Sequence, residues 1–108
     1  MAEERAVGEI ESLRQRIDEL DEALVRLLSA RAECALAVGR AKQALGLEIY
    51  QPSREADVLA HVQRINPGPL DDGAIRRLFE RVIDEARRLE RLSKAGHAAG
   101  DPESEVRT

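Results

Sequence analysis

Apolar side chains recur at intervals of three and four along one long stretch of this chain. They are Ile10, Leu13, Ile17, Leu20, Leu24 and Leu27, then, after one interruption, Cys34, Val38, Ala41 and Leu45. That period predicts a single helical stripe. Proline is absent from the stretch and Gly39 is its only glycine. A helix of about 36 residues at ~1.5 Å rise is roughly 54 Å long, more than a compact chain of this size is wide. One chain cannot cover such a rod, so the pattern predicts an obligate oligomer whose long helices lie against each other. The interruption is Arg31, a cation where the stripe calls for an apolar side chain.

The remaining pattern predicts two shorter helices and no strand. Gly46 suits a C-terminal cap for the first helix, and Pro52 suits the first turn of the second, with Gln51 or a neighbour as its cap. The second helix runs to about Ile65, with Val58, Leu59, Val62 and Ile65 facing inward, and Asn66-Pro67-Gly68-Pro69 stops it. A third starts after Asp71 or Asp72 and continues to about Lys94, its inner face reading Ile75, Leu78, Phe79, Val82, Ile83, Ala86 and Leu89. The expectation is therefore an all-α fold of three helices with a very long first helix. Residues 1–9 are expected to be a flexible N-terminus, 10–94 the helical domain and 95–108 a disordered polar tail.

Composition narrows the function classes. The chain has 108 residues, a formal net charge of −4 and only two aromatic rings, Tyr50 and Phe79. An acidic domain argues against duplex nucleic acid, yet permits an anionic small molecule where a few cations converge. Cys34 is the only cysteine, which excludes an intrachain disulfide and a multi-cysteine metal site, and its place on the stripe predicts a buried thiol. No run is apolar enough to span a membrane, and the acidic N-terminus is unlike a secretion signal, so a cytoplasmic protein is expected.

The informative residues are charges on apolar faces. Arg31 and Lys42 are eleven positions apart, about 20° of rotation, and share a face with Val38 between them. Glu90 lies about 20° from both Phe79 and Ile83. Arg14 is about 100° away from Arg31 and cannot enter the same space from the same helix. In an antiparallel helix pair a second chain can supply it. Each residue has a plain explanation alone: an arginine that snorkels to water, a lysine at a helix C-terminus, a solvated first turn at Arg54 and Glu55, a carboxylate pairing with Arg87 or Arg91. His61 and His97 read as surface residues. Jointly, several cations and one or two carboxylates aimed into an aliphatic bundle describe a pocket for a small polyanion. No zinc, Walker or dinucleotide motif is present and no activated nucleophile is visible, so no cofactor is expected.

The segment LRQRIDELDEALVRLLSARAECALAVGRAK (Leu13 to Lys42), followed by YQPSREADVL (Tyr50 to Leu59) and IRRLFERVIDEARRLE (Ile75 to Glu90), resembles the all-helical chorismate mutases. The resemblance covers roughly residues 10 to 93. It implies an intertwined homodimeric bundle of three-helix chains that converts chorismate to prephenate without a cofactor. It also implies roles. Arg14 of the partner chain, Arg31 and Arg54 would hold the two carboxylates of chorismate; Lys42 would donate to the ether oxygen and a carboxylate; Glu55 would accept from the ring hydroxyl; Glu90 would donate to the ether oxygen. Gln51 and Ala86 stand where some members carry an acidic residue and a serine near the ring hydroxyl, so those two contacts are altered here.

Short members of this family occur alone, fused to the first synthase of the shikimate pathway, or in complex with it. Two other functions share the pattern: an isochorismate-pyruvate lyase with the same fold and a similar cationic pocket, and a non-catalytic helical adaptor or regulatory module.

Overall fold

The computed structural model describes residues 1–98, with side chains described to Lys94. It contains three α-helices, α1 (Ala2–Leu45), α2 (Pro52–Ile65) and α3 (Asp72–Ala98), and no strand among the described residues. The chain divides into two compact units, Met1–Arg31 and Ala32–Thr108. None of the helices is long and apolar enough to cross a membrane.

The first unit is the N-terminal part of α1. The helix begins at Ala2, ahead of the expected domain start at residue 10. Ala2, Glu3, Glu4, Arg5 and Ala6 are all good or neutral helix formers, and the two glutamates complement the positive end of the helix dipole. The Arg5 amide closes the first turn on the Met1 carbonyl at 3.1 Å. Every member of the apolar stripe here is exposed in the single chain, from Leu27 at 66% to Leu20 at 46%.

The second unit contains the end of α1 together with α2 and α3. Its buried centre is Leu59 and Val62 of α2 against Ile83 of α3, with Val58, Ile75, Phe79 and Val82 half-buried at its margin. Ile65, Leu78 and Leu89, also expected to face inward, are exposed. Cys34 is exposed as well, because its stripe has no cover from its own chain.

Local chemistry fixes the ends of these helices. At Gly46, φ is +71°, a backbone region that favours glycine. There the Leu47 amide donates to the Lys42 carbonyl at 2.8 Å and the Gly46 amide to Gln43 at 3.1 Å, the paired bonds of a Schellman cap. Gln51 occupies the N-cap of α2, but its side chain makes no capping bond; Pro52 at the first position has no N–H to satisfy. Asp71 caps α3, its Oδ1 accepting from the Ala74 amide at 2.7 Å. Asn66 braces the connector before it, donating to the Leu70 carbonyl at 2.7 Å and accepting from the Gly68 amide at 3.0 Å. α3 continues to Ala98, four residues past its expected end at Lys94. The rest of the expected tail, from residue 99, lies outside the described residues.

Candidate active site

Four of the predicted charges belong to the second unit, and three of them are tied to specific neighbours. Lys42, in the last turn of α1, donates from Nζ to the Ile49 carbonyl at 3.0 Å. An ammonium has three N–H donors, so two are left for a ligand. The same bond anchors the connector between α1 and α2 beside the ammonium.

Glu90 stands on α3 against the end of α1. Its Oε2 is shut off from solvent and has no hydrogen-bond partner among the described residues. Burial pushes the carboxyl above the ordinary glutamate range, against the opposing pull of the Lys42 ammonium and the Arg87 guanidinium. The group is thereby biased toward the protonated form, the only form in which a carboxyl donates a hydrogen bond. Leu36, Gly39, Gln43, Leu47 and Ile49 line a narrow recess with it. That space is about 10 Å³, roughly what one water needs.

Gly39 makes this approach possible. A Cβ built there would lie 3.2 Å from Glu90 Cγ and 3.3 Å from its Oε2. In the sequence Gly39 stands out only as the single glycine of the Ile10–Leu45 stripe, which is the available signal of a close contact.

Glu55, in the first turn of α2, is paired with Arg87 of α3 at 3.3 Å from Nη2 to Oε1. The guanidinium also reaches Asp84 Oδ1 at 2.8 Å and lies 4.7 Å from the centre of the Tyr50 ring. Arg87 is recognisable in sequence only as a possible partner of Glu90. Its link to Glu55 spans thirty-two residues and leaves no local signature.

The other predicted positions are less constrained. Arg54 is exposed; Gln51 and Ala86 are half-buried. Arg14 and Arg31 belong to the first unit, Arg14 exposed and Arg31 half-buried. His61 is exposed and shares a 3.3 Å contact with Arg64; the His97 side chain lies outside the described residues.

A donor pair of one ammonium and one protonatable, shielded carboxyl can stabilise charge developing on a single oxygen. Comparison with known proteins meets this geometry. The sequence model of chorismate mutase type II matches residues 13–91. The chain is 43% identical over 94 residues to the bifunctional chorismate mutase/prephenate dehydratase of Pseudomonas aeruginosa, covering 82% of this chain and 26% of that protein. It thus spans about a quarter of the length of the bifunctional relatives it matches. It is 37% identical over 71 residues to the intracellular chorismate mutase of Mycobacterium tuberculosis, covering 66% of this chain and 68% of that one. Among solved structures it resembles chorismate mutase (form II) of Thermus thermophilus, with a TM-score of 0.75 and 37% identity over 77% of this chain and 94% of that chain. With the family match extending over most of its length, this chain belongs to the chorismate mutase type II family.

Proposed function

We propose that the protein is a chorismate mutase, which rearranges chorismate to prephenate within a homodimer. The observation that carries this reading is the shielded Oε2 of Glu90, partnerless among the described residues, packed on Gly39 and within reach of the charge of the Lys42 ammonium. The intracellular chorismate mutase among its relatives supports a cytoplasmic setting.

The reaction is unimolecular. One C–O bond breaks while a C–C bond forms, and partial negative charge grows on the ether oxygen. Arg31, Arg54 and the partner's copy of Arg14 clamp the two carboxylates and enforce the folded shape in which the reacting carbons meet, an effect of orientation. Lys42 and protonated Glu90 donate to the ether oxygen, more strongly as its charge grows, so they lower the barrier and not merely the substrate's energy. Glu55 accepts from the ring hydroxyl. Gln51 lies at the hydroxyl end as a neutral group and Ala86 offers no side-chain hydrogen bond. No cofactor takes part.

The homodimer is supported by the uncovered stripe. Each Leu or Ile side chain removed from water contributes about 1.5–3 kcal/mol, and a second long helix is the complementary surface available.

The test is loss of chorismate absorbance with purified protein, with products separated. Prephenate is the expected product; salicylate and pyruvate from isochorismate would identify a lyase instead. A folded dimer inert toward both substrates would overturn the reading for the isolated chain. Activity restored by adding the first synthase of the shikimate pathway would then place the chain in a complex with that enzyme.

A further inference from the structure

Arg87 is held from three sides. Asp84 on the preceding turn takes its Nη2 at 2.8 Å, Glu55 on α2 takes it at 3.3 Å, and the Tyr50 ring lies 4.7 Å from its Cζ. Its side chain is 24% exposed and that of Glu55 25%, whereas the surface pairs Arg16–Glu19 and Arg76–Glu80 are about half exposed or more. A planar guanidinium fixed in this way has little rotamer freedom left to lose, which distinguishes it from an exposed ion pair.

Among the described residues, Glu55 is bound on one side only. Arg87 takes Oε1, and Oε2 has both lone pairs available to a donor. We propose that Arg87 is a positioning residue for the rearrangement: its guanidinium, locked by Asp84 and Tyr50, holds the Glu55 carboxylate in the orientation that receives the substrate's ring hydroxyl. The proposal rests on the chorismate mutase reading and adds to it a residue that does not touch substrate.

The same arginine acts on Glu90. The charged groups facing Glu90 are Lys42 and Arg40 from α1, with Arg87 and Lys94 from α3; Glu55 reaches it from α2 only through Arg87. Removing the guanidinium removes one of the two charges that pull the Glu90 carboxyl down, so Glu90 stays protonated to higher pH.

The test compares Arg87→Met, Arg87→Lys and Asp84→Asn, each alone and with Glu55→Gln, by prephenate formation across pH. Arg87→Met should lower kcat/KM about tenfold, as loss of orientation at one contact does, and Arg87→Lys should recover part of it. In the Glu55→Gln background the same substitution should change kcat/KM less than about twofold, because the group it orients has gone. The alkaline limb of the rate profile should move upward in Arg87→Met and stay in place in Arg87→Lys. If Arg87→Met does not fold, Asp84→Asn carries the test, since it frees the guanidinium but keeps its charge; an approximately threefold loss is expected, again cancelled by Glu55→Gln. Unchanged kcat/KM, or a loss that persists in full without the Glu55 carboxylate, overturns the proposal while prephenate formation by the wild type leaves the reading intact. A wild type that forms no prephenate overturns both.

Discussion

Gly39 and Glu90 are in contact so close that no other residue fits at position 39 without displacing the carboxyl. The Cβ of an alanine there would stand 3.2 Å from Glu90 Cγ. Glycine in a helix interior costs about 1 kcal/mol against alanine, so its presence calls for a reason, and proximity to Glu90 is one.

Gly39→Ala should therefore separate stability from activity. The helix gains propensity, so the melting temperature should hold or rise. Glu90 must shift by a few tenths of an ångström, and turnover should fall about threefold to tenfold, since misplacement near 1 Å costs about a hundredfold. Measuring both on one preparation decides it: full turnover in the variant would mean that Glu90 tolerates the shift and that its placement is not demanding.

The Glu90 pKa gives a second prediction with a definite sign. In the proposed mechanism turnover needs the protonated carboxyl, so it should fall as pH rises through the raised pKa. Glu90→Gln is a donor at every pH and should flatten the profile. Stability follows by linkage: between the unfolded and the raised folded pKa the native state binds more protons, so stability falls as pH rises through that window. Above it, the glutamine variant should melt at a higher temperature than the wild type; below it the advantage should vanish. A variant whose rate profile keeps the wild-type alkaline limb would remove Glu90 from the proton account.

Much of this is legible from residue order, for identifiable reasons. Period-3.6 apolar spacing locates all three helices, and charge on an apolar face singles out Arg31 and Glu90, with Lys42 on the face of Arg31. The start of α1 escapes that pattern because Ala2 to Ala6 carry helix propensity but no apolar period. A stripe position implies a cover and so predicts a buried Cys34, but the cover does not come from its own chain. The Glu55–Arg87 link is invisible in sequence because it depends on how α2 and α3 are rotated against each other.

The proposed function gives Lys42 two roles that one substitution can expose together. Loss of an oxyanion donor costs about 2.7–4 kcal/mol, so Lys42→Ala should lower turnover by roughly a hundredfold or more. Its ammonium also pulls the Glu90 pKa down, so the residual activity should persist to higher pH than in the wild type. A loss below tenfold would assign the charge stabilisation elsewhere.

The proposed homodimer makes the last prediction, because shared sites permit complementation. If Arg14 acts across the interface, the Arg14→Ala and Lys42→Ala variants are each nearly inactive alone. Unfolding and refolding an equal mixture yields heterodimers in which one site combines Lys42 of the first variant with Arg14 of the second, while the other site has lost both. Random pairing makes about half of the dimers mixed, with one intact site of two, so about a quarter of wild-type activity should return. The exposed leucines bear on the same point: Leu24, 54% exposed in the single chain, should be buried in the dimer, and Leu24→Glu should yield monomers on sedimentation and abolish the recovery. Mixing without any gain, from variants that still sediment as dimers, would place Arg14 in its own chain's site or outside the site altogether.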